Sequence, residues 1–233
     1  MRKKITFLFI VLSLMVGSCK KNKKYVTPDV EPQKEYDGRF SRMYSMTYFA
    51  DSIPEVFIEW NEVHFPGPPG TFISIDSVTL NDTILGFQPD GFYRSYSTYK
   101  HPPFRWTVKG KNGIPSFTYK DTSSVPLFNG YNLLPDSSSL NNDLNIPITN
   151  MKDVSFITAT LEDWNNHKLK KETKVSGSNT SITFSKQELS VFKHLSTSRL
   201  TLFMDRTPIT TEIETKKFKF ETSLEIIRDG VFY

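Results

Sequence analysis

The sequence predicts an all-β fold built from two β-sandwich domains. Aromatic residues make up 14% of the 233 residues, with 19 Phe and 10 Tyr, and this composition favours strands. Short alternating runs of apolar and polar residues are separated by turn signals, of which Asp90-Gly91 and Asn112-Gly113 are the clearest. A stretch rich in Ser, Asp, Asn and Pro over residues 121–143 separates two sets of strands. We therefore expect a domain boundary there, between residues 132 and 133.

The N-terminus has the pattern of a secretory signal peptide. Arg2, Lys3 and Lys4 precede an apolar segment from Ile5 to Val16, which small residues follow. This segment is shorter than the roughly 20 apolar residues that a membrane-spanning helix needs. We expect residues 1–18 to be removed after export.

The residues Val16-Gly17-Ser18-Cys19 resemble the lipobox of bacterial lipoproteins. The resemblance implies cleavage before Cys19 and attachment of a lipid with palmitate-type acyl chains to its sulfur. Two acyl chains would hold the protein stably on a membrane. The alternative is a secreted protein with a free thiol. Because Cys19 is the only cysteine, no disulfide can form within the chain, and its fold must depend on buried apolar area.

The charge distribution argues against a nucleic-acid partner. Residues 1–38 hold eight basic and four acidic side chains of the 29 and 25 in the chain, so that 21 of each sign remain from Arg39 onward. The body of the protein is therefore neutral. Residues 19–38 read as an extended tether. Its lysines at 20, 21, 23 and 24 could attract anionic headgroups, but a solvated spacer is favoured.

The first predicted domain spans residues 39–132. We predict strands at residues 43–49, 56–65, 72–80, 84–87, 92–96, 104–108 and 114–119. In the second strand, Ile58 and Trp60 would lie on an apolar face before a bulge at Asn61-Glu62, and Val63 and Phe65 after it. The prolines and glycines of residues 66–70 predict a rigid loop after this strand.

The second predicted domain spans residues 133–233. Its predicted strands are residues 144–148, 154–161, 180–184, 200–204 and a long alternation over 213–226. In the last strand, Phe218, Phe220, Leu224 and Ile226 would face one core. Ser185 and Glu188 form a capping box, which predicts one short helix from Lys186 to His194.

Several segments resemble two-domain, immunoglobulin-like lipoproteins of Bacteroidetes envelopes. The residues that carry the resemblance are Trp106-Thr107-Val108-Lys109-Gly110, Ile114-Pro115-Ser116-Phe117, Ile182-Thr183-Phe184 and Glu188-Leu189. The resemblance implies immunoglobulin-like sandwiches and an outer-membrane location. Surface-exposed members often carry acidic residues after the cysteine, whereas this chain has Lys20-Lys21-Asn22-Lys23-Lys24. We therefore expect the periplasmic face rather than the cell surface.

The sequence contains none of the searched motifs for catalysis or cofactor binding. It has no Gly-x-Ser-x-Gly elbow, His-Glu-x-x-His helix or phosphate-binding loop, and its four histidines lack the spacing of metal ligands. We expect no catalytic residue, no cofactor and no metal. Residues 162–166 are rich in oxygen donors, which suits either calcium or an ordinary Asn/Asp turn, and the turn is favoured.

Two sets of residues are candidates for recognition or modification. An aromatic run could stack on sugars or hold a partner, or could instead belong to the core; its candidate residues are Tyr93, Tyr96, Tyr99, His101 and Phe104. The second set resembles the Asp-Ser/Thr-apolar sites of Bacteroidetes O-glycosylation, and its hydroxyls belong to Ser52, Ser77 and Thr83.

Together these features favour a non-enzymatic lipoprotein of the cell envelope, held on the membrane through Cys19. We expect it to bind an envelope protein or to serve as an accessory or structural module. The alternative is a glycan-binding lipoprotein that uses exposed aromatic residues of the first domain. An enzyme whose carboxylates converge only in the fold is the remaining interpretation.

Overall fold

The computed structural model describes residues 35–48, 56–97, 103–165, 167–194 and 197–233, and the regular elements in these ranges are almost all β-strands. The strands of the first half are β1 (Gly38–Tyr48), β2 (Val56–His64), β3 (Ser77–Leu80), β4 (Thr83–Ile84), β5 (Gly86–Phe87), β6 (Phe92–Ser97), β7 (Phe104–Lys109), β8 (Phe117–Asp121) and β9 (Leu127–Phe128). A 3-10 helix, Tyr131–Leu133, follows. The later elements are β10 (Ser137–Ser138), β11 (Leu144–Ile148), β12 (Met151–Lys152), β13 (Phe156–Asp163), β14 (Lys168–Lys174), β15 (Thr180–Phe184), α1 (Lys186–Leu189), β16 (Thr197–Asp205), β17 (Ile209–Ile213) and β18 (Lys216–Phe232). The all-β prediction is confirmed, whereas the immunoglobulin-like assignment stays a prediction.

The largest sheet has ten strands and is organised around β18. Its order is β14-β13-β16-β18-β1-β2-β6-β5, and β10 and β17 also pair with β18. Along one edge, β18 pairs in parallel with β1, from Gly38 opposite Phe218 to Tyr48 opposite Arg228. Along its other edge it pairs antiparallel with β17 and then β16. The first and last strands of the folded chain are therefore neighbours.

The predicted boundary at residues 132/133 does not coincide with a break in this sheet. Residues 34–233 form one compact unit. Strands β1, β2, β5 and β6 precede the boundary, and strands β10, β13, β14, β16, β17 and β18 follow it, yet all lie in one sheet. The physical reason is the long β1–β18 ladder, which joins the two ends of the chain by backbone hydrogen bonds.

A second layer covers the inner face of the sheet near β1. It is a four-stranded sheet of order β4-β3-β7-β8. Phe40 of β1 makes an edge contact with Trp106 of β7 at a centroid distance of 5.2 Å, and it stacks on Phe220 of β18 at 4.7 Å. All three side chains are buried. The aromatic residues that indicate strands in the sequence thus form much of the core between the layers.

Both predicted Gly turns are confirmed. Asn112 and Gly113 have φ angles of 54° and 85°, as the hairpin between β7 and β8 requires. Gly91, with a φ of 87°, follows Asp90 between the antiparallel strands β5 and β6. A side chain at Gly91 would also collide with Phe72, 2.3 Å from an added Cβ.

The helix is shorter than predicted. The capping box is present, because the Ser185 side chain accepts from the Glu188 N–H and the Glu188 carboxylate accepts from the Ser185 N–H. The α-helix nevertheless ends at Leu189, and turns replace it before residue 194. At its end the Ser190 hydroxyl donates to the Gln187 carbonyl, and Ser side chains bonded in this way weaken a helix.

The burial of β2 differs from the prediction. Its pairing with β1 runs without interruption from Val56 to His64, so there is no bulge at Asn61-Glu62. Strict alternation then turns Glu59, Asn61 and Val63 inward, where all three are buried. Ile58, with 43% of its surface exposed, lies on the outer face instead.

The last predicted strand is also divided, because a turn at residues 214–215 separates β17 from β18. Its four predicted core residues are all buried, as expected.

Candidate functional site

The outer face of the ten-stranded sheet carries a mixed polar and apolar surface. Along β1, Phe40, Arg42 and Tyr44 are buried toward the second layer, so that the alternate residues Arg39, Ser41 and Met43 face outward. The same alternation places Glu221 and Ser223 of β18 outward. Backbone hydrogen bonds hold β1 between β18 and β2, so the Cα atoms that carry its outward side chains have fixed positions.

An open cleft of about 780 Å³ lies on this face. The volume is within the range of small-ligand sites. Its lining combines hydroxyl groups, carboxylates, four long cations and apolar side chains. The residues are Ser41, Ser155, Thr207, Thr222, Ser223, Glu62, Asp205, Glu221, Arg39, Arg42, Lys174, Arg206, Met43, Trp60, Phe156 and Pro208. The cleft therefore offers both hydrogen-bond donors and acceptors beside an indole ring.

Glu221 is the centre of the ionic network on one wall of the cleft. It accepts from Arg39 and from the Ser41 hydroxyl, 3.2 Å away, and Lys219 Nζ lies 2.7 Å from its carboxylate. Burial alone would raise the pKa of Glu221, but the hydrogen bonds from Lys219 and Arg39 outweigh it and lower the pKa below its usual value. Glu221 is therefore an anion whose charge is already balanced.

Beside the cleft, on β6, Arg94 pairs with two acids, and one of them, Glu62, lines the cleft. Arg94 Nε donates to Glu62 at 2.7 Å, and its Nη1 donates to Asp90 at 2.6 Å. The guanidinium lies 4.7 Å above the Phe92 ring centroid, where cation and ring attract each other. These contacts keep Arg94 charged and hold the Glu62 carboxylate in an ion pair.

Trp60 contributes the aromatic surface of the cleft. Its ring lies 5.4 Å from that of Tyr96, at an interplanar angle of 46°. The indole Nε1 is buried and has no hydrogen-bond partner within the described ranges. An acceptor group of a ligand or partner could take the hydrogen bond from this N–H group.

The structure separates the aromatic residues predicted to form a recognition surface. Tyr93 and Phe104 have only 3% and 0% of their surface exposed and belong to the core. The Tyr93 hydroxyl bonds to both backbone groups of Ile75, and the Arg42 guanidinium lies 3.5 Å from the Phe104 ring centroid. Tyr96 is 64% exposed and remains a candidate. Tyr99 and His101 lie outside the described residues.

The predicted modification sites are in different environments. Cys19 and Ser52 lie outside the described residues. Ser77 is half-buried within β3, whereas Thr83 is exposed in β4, directly after Asn81 and Asp82 at their positive φ angles. Thr83 is thus the more accessible of the two hydroxyls that the structure places.

The described residues of the oxygen-rich segment, 162–165, form a turn around Asp163. Its carboxylate accepts hydrogen bonds from the N–H groups of Asn165 and His167, both at 2.9 Å, and lies 3.0 Å from the His167 ring nitrogen. Burial would raise the pKa of Asp163, but the bonds from His167 and Asn165 lower it to about 2. The turn interpretation is confirmed. Within the described ranges, no group of three or more His, Cys, Asp or Glu side chains is placed to hold a metal ion.

Comparisons of the chain with protein-family models and with curated proteins find no match. In the part of the chain that the structure describes, no helix has the length and apolar character to cross a membrane.

The sequence prediction missed the cleft, although part of its signal is visible in the sequence. Polar residues alternate with apolar ones at Arg39-Phe40-Ser41 and at Phe220-Glu221, as is typical of strands with one solvated face. No local pattern shows that these two segments are neighbours, because they are paired across almost the whole chain.

Proposed function

We propose that this chain is a lipid-anchored, non-enzymatic protein of the bacterial envelope that binds a partner protein through the cleft on its outer sheet face. Cys19 would carry the lipid, and residues 19–38 would hold the folded unit away from the membrane. The outer membrane, on its periplasmic side, is the proposed location. The observation that carries the binding role is the open cleft on the ten-stranded sheet.

The chemistry of the cleft suits a protein partner. Arg and Trp are enriched among the residues that dominate binding energy at interfaces, and Met is enriched at interfaces generally. Here Arg39, Met43 and Trp60 line one concave surface. The charged groups Glu62 and Glu221 are already paired within the protein, which favours a partner with a mixed polar surface over a strongly charged one.

Site-specific photo-crosslinking in intact cells tests this proposal. A photoreactive residue at Thr207, on the rim of the cleft, should capture one defined envelope protein. The same residue at Lys120, which is exposed on β8 of the second sheet, serves as the matched control and should not capture it. Capture of the same proteins from both positions, or of none from Thr207, would contradict the proposed interface.

Glycan binding is the second candidate, and the pair of Tyr96 and Trp60 favours it. Tyr96 is 64% exposed beside an indole, and aromatic rings of this kind stack on the apolar faces of sugars. On a glycan array, Tyr96→Ala should lose a ligand that the wild type retains. Tyr233→Ala is the control, because Tyr233 is also exposed, at 52%. The glycan function is rejected when the wild type retains no glycan.

A further inference from the structure

The tip of the β13–β14 hairpin presents an indole ring to solvent. Trp164 has 78% of its surface exposed, more than any other large hydrophobic side chain that the structure describes. Single exposed hydrophobic residues are common on protein surfaces. This one differs because the Asp163 carboxylate binds backbone N–H groups beside it and because a concave site adjoins it.

Asp163 holds the turn that carries Trp164. The carboxylate is almost fully buried and accepts from two backbone N–H groups, those of Asn165 and His167. It is also bonded to the Asn165 amide at 3.3 Å and to the His167 ring at 3.0 Å. Its hydrogen-bonding capacity is therefore used within the turn. A ligand that stacks on Trp164 would not have to order the backbone beneath it.

A small cavity of about 210 Å³ lies beside the indole and is lined by Glu162, Asp163, Trp164 and Arg199. Arg199 donates from Nε and Nη2 to Asp229, at 2.7 and 3.2 Å. A guanidinium has five N–H donors, so donors remain for a ligand. The Glu162 carboxylate is 3.6 Å from Lys168 Nζ, beyond hydrogen-bond distance, and so retains acceptor sites.

We propose that this site binds one uncharged pyranose ring, with the apolar face of the sugar on Trp164 and neighbouring hydroxyls on Glu162 and Arg199. The planar carboxylate accepts from hydroxyl groups and the planar guanidinium donates to them, so a polyhydroxyl ligand matches both. Because the two groups have opposite charges, neither an anion nor a cation is favoured. The cavity is smaller than the ~300–1,000 Å³ of sites for drug-sized ligands, which suits a single ring.

This site is distinct from the cleft of the proposed function. Phe156, at one end of β13, lines the cleft, whereas Glu162 and Asp163, at the other end, line the small cavity. Glu162 follows Phe156 by six steps along the extended strand, which corresponds to about 20 Å. The pyranose site therefore does not depend on a protein partner in the cleft.

Saturation-transfer NMR on the full-length protein in detergent tests the site, with methyl glycosides of glucose, galactose and mannose as probes. We expect transfer to the ring C–H protons of at least one probe and a loss of affinity of at least tenfold in Trp164→Ala. Glu162→Gln should weaken binding severalfold while leaving the stacked ring in contact. Leu133→Ala is the matched control, since Leu133 is also an exposed apolar residue, at 51%.

A glycan array run in parallel distinguishes the source of the ring. If the protein binds the free methyl glycosides, a free sugar is a sufficient ligand. If it binds only arrayed glycans, the ligand is the terminal ring of a glycan chain. Either result supports the site when Trp164→Ala removes the signal. Binding that Trp164→Ala leaves unchanged, or no binding to either probe set, overturns the proposal. Trp164-dependent binding to phosphatidylglycerol vesicles without sugar binding also overturns it, in favour of a membrane contact.

Discussion

The buried ion pair between Arg42 and Asp121 should be one of the main contacts joining the two layers. Arg42 lies on β1 of the ten-stranded sheet, and Asp121 lies on β8 of the four-stranded sheet. Their side chains are 1% and 3% exposed, and Arg42 Nη2 donates to the carboxylate at 2.6 Å. The same nitrogen donates to Thr222 at 3.0 Å, and the guanidinium stacks on Phe104. We predict that Arg42→Met strongly destabilises the fold.

The magnitude follows from the contacts that the substitution removes. A hydrogen bond to a charged group contributes about 1.5–3 kcal/mol, and a desolvated cation–π contact contributes up to about 2 kcal/mol. These contributions overlap and are not additive, so the expected loss is the ~3–5 kcal/mol found when one partner of a buried ion pair is removed and its counter-charge remains. Asp121→Leu should cost a similar amount, because it leaves the Arg42 charge buried. The double variant Arg42→Met/Asp121→Leu leaves no buried charge and should cost about 2 kcal/mol or less.

Urea unfolding of the wild type, the two single variants and the double variant measures these free energies as a double-mutant cycle. We expect a coupling energy of several kcal/mol, because each single variant carries a penalty that the double variant lacks. Single variants that each lose less than 1 kcal/mol, or a double variant whose loss equals the sum of the two single losses, would refute this account. The exposed pair Arg105–Asp82 is the control, and its cycle should give no more than about 1 kcal/mol.

Three further outcomes are expected. Cys19→Ala should move the protein from the membrane fraction to the soluble fraction, because its acyl chains supply the proposed anchor, and unchanged partitioning would disprove lipidation. Ser185→Ala should lower the free energy of unfolding by about 0.5–2 kcal/mol, since the Glu188 N–H loses its acceptor; urea unfolding measures this loss, and an unchanged midpoint would contradict it. Acid should also destabilise the fold. The pKa of Asp163 is lowered to about 2 despite its burial, by bonds from His167 and Asn165, and that of Glu188 to about 2, chiefly by Lys171. Because both carboxyl groups have lower pKa values in the folded protein than in the unfolded chain, their ionised forms stabilise the fold. This stabilisation is complete above about pH 5 and is lost as the pH falls toward 2. The melting temperature of Asp163→Asn should therefore fall less steeply over that range, and an identical slope would contradict the role of Asp163.

The turns and the hydrophobic pattern of single strands were predictable from the sequence because they depend on neighbouring residues. The Asn112-Gly113 hairpin needs only two residues that accept positive φ angles, and both are adjacent in the chain. The capping box at Ser185 is likewise local, which explains why it was predicted correctly while the length of α1 was not. Phe218, Phe220, Leu224 and Ile226 were recognised as core residues by their spacing alone.

The faces of the strands were harder to predict, because burial depends on what packs against each face. In β2 the apolar residues Ile58 and Trp60 suggested one buried face, but register and packing bury Glu59 and Asn61 instead. The aromatic run was ambiguous for the same reason. Tyr93 and Tyr96 are both tyrosines of β6, yet one is in the core and the other is 64% exposed.

The sequence by itself determined the all-β class, the hairpin turns and the neutral body, because each depends on composition or on a few adjacent residues. Lipid attachment at Cys19 is a prediction from the same kind of local pattern. Only the tertiary structure decided that β1 and β18 are neighbours in one sheet, and that the cleft forms across them. Pairing between Gly38 and Phe218 joins residues that are distant in the chain, and its free energy comes from ladders and packing that no local pattern encodes. The small site at Trp164 depends both on local sequence and on tertiary pairing. Its turn is held by local hydrogen bonds of Asp163 with Asn165 and His167, whereas Arg199 reaches it only because β16 pairs with β13.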